Sequence, residues 1–112
     1  MKYSQDDLIK ALGELIIIAT MGQTIQYAEL AQLVGLTWNH RNRNDRKTIG
    51  QFLGRISCQE YAQGRPLLTA IVVRKKDREP GGGFFGLEGF PKSKIFWKTE
   101  KKRVHDFWMW RQ

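Results

Sequence analysis

Apolar positions recur along this chain in helical registers, broken by one continuous apolar run. After Ser4, whose hydroxyl suits a helix N-cap, Leu8, Leu12, Leu15, Ile16 and Ala19 return every three or four residues, the spacing of one buried helical face. Asp6 and Asp7 fall in the first turn, where the helix dipole favours acids, and Gly22 stops the helix. Thr24 to Tyr27 reads as a short extended segment leading into a second helix, Ala28 to Val34, with Gly35 as its C-cap. Residues 36–46 lack an apolar period and are rich in Asn and Arg, which predicts a polar loop. Asp45 is expected to cap a third helix in which Ile49, Phe52, Leu53 and Ile56 fall at i, i+3, i+4 and i+7. Its opposite face carries Lys47, Gly50, Gln51, Gly54 and Cys58.

The run Leu67 to Val73 is short, continuous and β-branched at its end, and is expected to be a buried strand. Residues 74–83 turn the chain, and Phe84 to Leu87 are expected to return as a second strand, giving a basic-tipped β-hairpin over 64–90. A last helix follows from Lys94 to about Trp110, docked by Trp97, Val104, Phe107 and Trp108. The expected fold class is α+β: a winged helix-turn-helix-like domain of three N-terminal helices, a β-hairpin wing and a C-terminal helix. All 112 residues form one domain on this reading, with a helical region over residues 1–63, the hairpin over 64–90 and the last helix over 91–112.

Charge sharpens the picture. The chain holds 19 Lys and Arg against 11 Asp and Glu, a formal charge of +8, which favours polyanionic partners. It is segregated: residues 1–35 carry two Lys and four acids, whereas residues 36–56 carry five basic groups and one acid. Arg41, Arg43, Arg46, Lys47 and Arg55, then Arg74, Lys75 and Lys76 at the hairpin tip, are the candidate phosphate contacts. The run Lys101-Lys102-Arg103 reads as a solvated helix face. Cys58 is the single cysteine, so neither an intramolecular disulfide nor a Cys-based zinc site can form, and a reducing, cytoplasmic setting is expected. The apolar run Leu15 to Ala19 is too short to span a bilayer.

Candidate chemistry is thin. His40 and His105 stand apart from other ligand-type residues, and Gly81-Gly82-Gly83 leads into aromatics where a phosphate-binding loop would have Lys-Ser or Lys-Thr. Asn39-His40-Arg41-Asn42 has the look of a nuclease core without its companion acids. No catalytic residue, cofactor or metal is expected.

Thr24-Ile25-Gln26-Tyr27-Ala28-Glu29-Leu30-Ala31-Gln32-Leu33-Val34-Gly35 resembles the DNA-binding domain of the alkylguanine-DNA alkyltransferases and alkyltransferase-like proteins, whose stretch reads Ile-x-Tyr-x-x-Leu-Ala-x-Leu-x-Gly. Lys47-Thr48-Ile49-Gly50 extends the resemblance, as do Pro66 and Gly81 to Phe84, so that it covers about residues 22–85. It implies a winged helix-turn-helix that binds the minor groove. Tyr27 stands at the position of a tyrosine that presses on a target phosphate, and Lys47 at that of an arginine that fills a vacated base stack. A flexible ammonium does not stack as a guanidinium does. The family's reactive cysteine follows a proline, and Pro66 is followed here by Leu67-Leu68-Thr69, so alkyl transfer is not expected. Gly50 and Gly54 suit either close approach to DNA or helix packing. The segments Gly64 to Leu68, Val72-Val73 and Pro80 to Phe85 are also similar to a group of small bacterial proteins, which implies no mechanism.

The functional expectation is a non-catalytic protein binding duplex DNA, a regulator or sensor of DNA structure or lesions, through Tyr27, Arg41, Arg43, Arg46, Lys47, Gly50, Gln51, Gly54, Arg55, Arg74, Lys75 and Lys76. The alternative is a protein-binding inhibitor or accessory subunit of a mobile-element, phage or defence system, with Phe96, Trp97, Phe107, Trp108 and Trp110 as the partner surface. A nuclease is the third class.

Overall fold

A computed structural model describes residues 3–110. Helix α1 (Gln5–Thr20) begins at a capping box: Asp7 N–H donates to Ser4 Oγ at 3.2 Å and Ser4 N–H to Asp7 Oδ2 at 2.8 Å. Its Leu8, Ala11, Leu15 and Ala19 are buried. Gly22, at φ 68°, then turns the chain into β1 (Ile25–Gln26), and α2 (Tyr27–Val34) starts one residue earlier than expected. At its end Gly35 adopts φ 76° while Leu36 N–H donates to the Ala31 carbonyl at 2.8 Å, a glycine-terminated helix end.

Helix α3 (Arg43–Ala62) starts two residues before the expected cap. Asn42 caps it, accepting from Asp45 N–H at 3.1 Å, and Asp45 sits inside the first turn. The buried Asp45 carboxylate accepts from Asn39 N–H at 3.0 Å and so pins the preceding loop to the helix. Ile49, Phe52, Leu53 and Ile56 form the buried stripe.

The expected β-hairpin is not formed among the described residues. Leu68–Ile71 is a 3-10 turn, only Val72–Val73 is extended as β2, and Gly82–Phe85 is a short helix, α4. β2 pairs in parallel with β1, Ile25 opposite Val72 and Gln26 opposite Val73, so α2 and α3 lie in the crossover between the two strands. The reason is the setting of Leu67 to Val73, which runs through the centre of the molecule between α1, α3 and α5 (Lys94–Met109), every residue at most 1 % exposed. Helix side chains satisfy its backbone where a hairpin partner would have done so. Leu67 N–H donates to Glu100 Oε2 at 2.8 Å, Thr69 N–H to Ser57 Oγ at 3.2 Å, and Trp97 Nε1–H to the Ala70 carbonyl at 2.9 Å. Phe84, which a hairpin would leave beside β2, instead inserts into the core from α4.

The fold is therefore mixed and helix-dominated, with a two-stranded parallel sheet. Among the described residues no helix is long and apolar enough to cross a membrane.

Candidate nucleic-acid interface

A cleft of ≈ 790 Å³ opens at the N-terminal end of α2, where the loop before α3 meets the turn after β2. Its size falls in the range, about 300–1,000 Å³, of sites that enclose a small ligand. The apolar wall is built by Tyr27, Ala28, Trp38 and Ile49, with Tyr27 and Trp38 stacked at a centroid distance of 6.0 Å. Arg46, Arg74, Lys75, Lys76 and His40 complete the lining, with Gln26 and Gly81. None of these lining residues is a carboxylate, and Asp77, just outside the lining, pairs with Arg74.

Each wall is held from below. Tyr27 is the first residue of α2 and is buried; its hydroxyl accepts from Gly81 N–H at 2.7 Å, closing the cleft against the far side. Burial raises its phenol above the ordinary value, with the Gly81 hydrogen bond and the Arg74 charge acting against that shift. Arg46 Nη1 donates to the His40 carbonyl at 2.8 Å, which ties the loop back on the helix.

The turn that follows β2 is equally well tied. Arg74 N–H donates to the Glu79 carbonyl at 2.8 Å, and Arg78, at φ 59°, donates its N–H to the Arg74 carbonyl at 3.0 Å. The Arg74 guanidinium grips Asp77 with both prongs, at 3.2 and 2.7 Å. The Glu79 N–H, and after it Arg74, hold the Asp77 carboxyl below its ordinary 3.8. Glu79 in turn meets Lys94 of α5 at 3.0 Å. Lys75 and Lys76 are thus presented from a turn whose own acids are already engaged.

Of the twelve residues expected to meet DNA, the fold gathers Tyr27, Arg46, Arg74, Lys75 and Lys76 around this cleft. Arg41, Arg43, Lys47 and Gln51 are exposed on the adjoining loop and on α3, outside the cleft lining, and Gly50 is half-buried. Arg55 lies over the Tyr3 ring, 5.9 Å from its centroid. Gly54 is half-buried and faces Leu87: a Cβ there would meet Leu87 Cδ2 at 3.5 Å, an ordinary contact, so the packing of the segment after α4 on α3 leaves room for a larger residue. Trp38 and His40 are not among the expected contacts. An aromatic residue inside an otherwise Asn- and Arg-rich loop is the available signal for Trp38. The contact between Tyr27 and Gly81 spans too much sequence to be seen in any local pattern.

The aromatic end of the chain is mostly built into the body. Trp97 is buried, Phe96, Phe107 and Trp108 are half-buried, and Trp110 stands out in solvent. No group of three His, Cys, Asp or Glu among the described residues could hold a metal ion. Comparison with family models, with curated proteins and with solved structures returns no match.

Proposed function

We propose that this chain binds duplex DNA without catalysing a reaction on it, and senses a structural irregularity or lesion by taking up an unstacked base in the cleft. The observation that carries this reading is the meeting of two basic segments, remote in sequence, around an aromatic wall: Arg46 on one side, Arg74, Lys75 and Lys76 on the other, Tyr27 and Trp38 between them. Cations at the rim suit phosphates, and a stacked aromatic pair suits the flat face of a base. The resemblance of Thr24 to Gly35 to alkyltransferase-like DNA-binding domains agrees in placing Tyr27 at the DNA. In this arrangement α2 and α3 act as a helix-turn-helix, and the turn at residues 74–79 flanks it in place of a wing. Leu67 and Leu68, in the expected place of the reactive cysteine, are buried and apolar, which supports binding without alkyl transfer.

Fluorescence anisotropy with a labelled duplex, fully paired or carrying one unpaired base, tests this over a salt series. Binding should be measurable at low salt, weaken steeply as salt rises, and be tighter for the duplex with the unpaired base. Replacing Trp38 by Ala should remove most of that preference, because base–aromatic stacking contributes about 1–3 kcal/mol. A protein that binds neither duplex at low salt overturns the proposal.

A further inference from the structure

The cations of the cleft are not all balanced within the chain. In the turn at residues 74–79 the acids are engaged, Asp77 by Arg74 and Glu79 by Lys94, and the buried Asp45 carboxylate at the start of α3 takes Asn39 N–H. Arg46, Lys75 and Lys76 line the same cleft, are exposed, and enter no ion pair among the described residues. Arg46 bonds the His40 carbonyl at 2.8 Å, but a neutral acceptor leaves its charge uncompensated.

This concentration of charge beside one aromatic wall specifies a ligand. A nucleotide lifted out of a duplex brings only the phosphates on either side of it, each with a single charge and set apart by a sugar. A free nucleoside polyphosphate joins its phosphates directly to one another behind a single sugar, so that several charges meet Arg46, Lys75 and Lys76 together. The remaining space suits its base and sugar: the cleft, ≈ 790 Å³, has the size of a small-ligand site. Tyr27 and Trp38 are stacked along its wall, and the bond from Gly81 N–H to the Tyr27 hydroxyl closes its far side.

We propose that the cleft takes a free nucleoside di- or triphosphate, its base laid on Trp38 and its phosphate chain held by Arg46, Lys75 and Lys76, and that this ligand displaces DNA. The inference rests on the reading of the cleft as a nucleotide site and gives that site a regulator, since DNA and ligand claim the same side chains. No carboxylate lines the cleft to hold a divalent cation, so the arginine and the lysines meet the phosphates directly and binding needs no metal.

Isothermal titration calorimetry on the full chain without DNA, in a chelator at constant low ionic strength, compares ATP, ADP, AMP and inorganic triphosphate. Affinity should rise severalfold with each added phosphate, and ATP should exceed inorganic triphosphate by at least about fivefold, the lower end of what base–aromatic stacking contributes. Lys75→Ala with Lys76→Ala should flatten the rise from AMP to ATP at an unchanged melting temperature. Trp38→Ala should bring ATP down to the level of inorganic triphosphate; should that variant unfold, the two ligands on the unaltered chain decide the same point. A labelled duplex should be released by ATP but not by sodium chloride of equal ionic strength. Absence of nucleotide binding, equal affinity for ATP and inorganic triphosphate, or a duplex held unchanged in saturating ATP overturns the proposal. A chain that binds ATP and no duplex refutes the DNA reading and leaves the nucleotide site standing, and one that binds a duplex and no nucleotide does the reverse.

Discussion

Tyr27 shows how a single side chain can belong to core and cleft together. Because burial raises its phenol above 10.0, the folded protein holds that proton more tightly than the unfolded chain. Its contribution to stability is therefore complete below pH 10 and is lost as the pH rises from there through the raised value. Tyr27→Phe should remove from an alkaline absorbance titration a phenol that ionises above its ordinary range, and should cost about 1–3 kcal/mol in urea unfolding because Gly81 N–H loses its acceptor. An unchanged titration would contradict this assignment. Two tryptophans give a sharper contrast. Trp97 Nε1–H holds the Ala70 carbonyl at 2.9 Å, whereas Trp108 Nε1 is buried without a partner. Trp97→Phe should thus cost about 1–3 kcal/mol, and Trp108→Phe clearly less, because it deletes an unsatisfied donor. Denaturant midpoints of the two variants, compared side by side, decide the point.

At the level of elements, the four long helices are legible in the sequence, whereas the short apolar run and α4, where a strand is expected, are not. Periodicity and caps place α1, α2 and α5 to within a residue or so, because Ser4, Gly35 and Ser93 carry their instructions locally. The start of α3 departs from expectation since Asn42 and Asp45 are both good caps; Asn42 takes the Asp45 N–H, while the Asp45 carboxylate is engaged by Asn39 N–H. For Leu67 to Val73 composition says only that the segment is buried. Its conformation depends on Ser57, Trp97 and Glu100, whose distance along the chain hides them from any local pattern. Two predictions concern α3. Gly54→Ala should raise stability by about 0.5–1 kcal/mol, since its Cβ meets Leu87 at ordinary contact distance, and leave DNA affinity unchanged. Lys47→Glu with Gln51→Glu, both exposed, should preserve the melting temperature and strongly weaken DNA binding by facing phosphates with like charge. Undiminished affinity in that folded double variant would remove α3 from the interface.

For the molecule as a whole, charge distribution decides the reading. The contrast between an acidic first third and a basic remainder is readable from the sequence, as are Arg46, Arg74, Lys75 and Lys76 as candidate phosphate contacts. What the sequence conceals is the means by which they meet. A parallel pairing of β1 with β2 brings the turn at residues 74–79 beside the start of α2, where the apolar pattern predicts a hairpin wing. The central claim is that both basic segments touch one stretch of DNA. Its most direct test is the slope of log affinity against log salt for the unaltered chain, for Arg46→Ala and for Lys75→Ala with Lys76→Ala. Each lost phosphate contact should flatten the slope by about 0.9, so the single variant should lower it by about one unit and the pair by about two, with melting temperatures unchanged. Slopes that stay the same in folded variants would show that DNA does not engage this cleft.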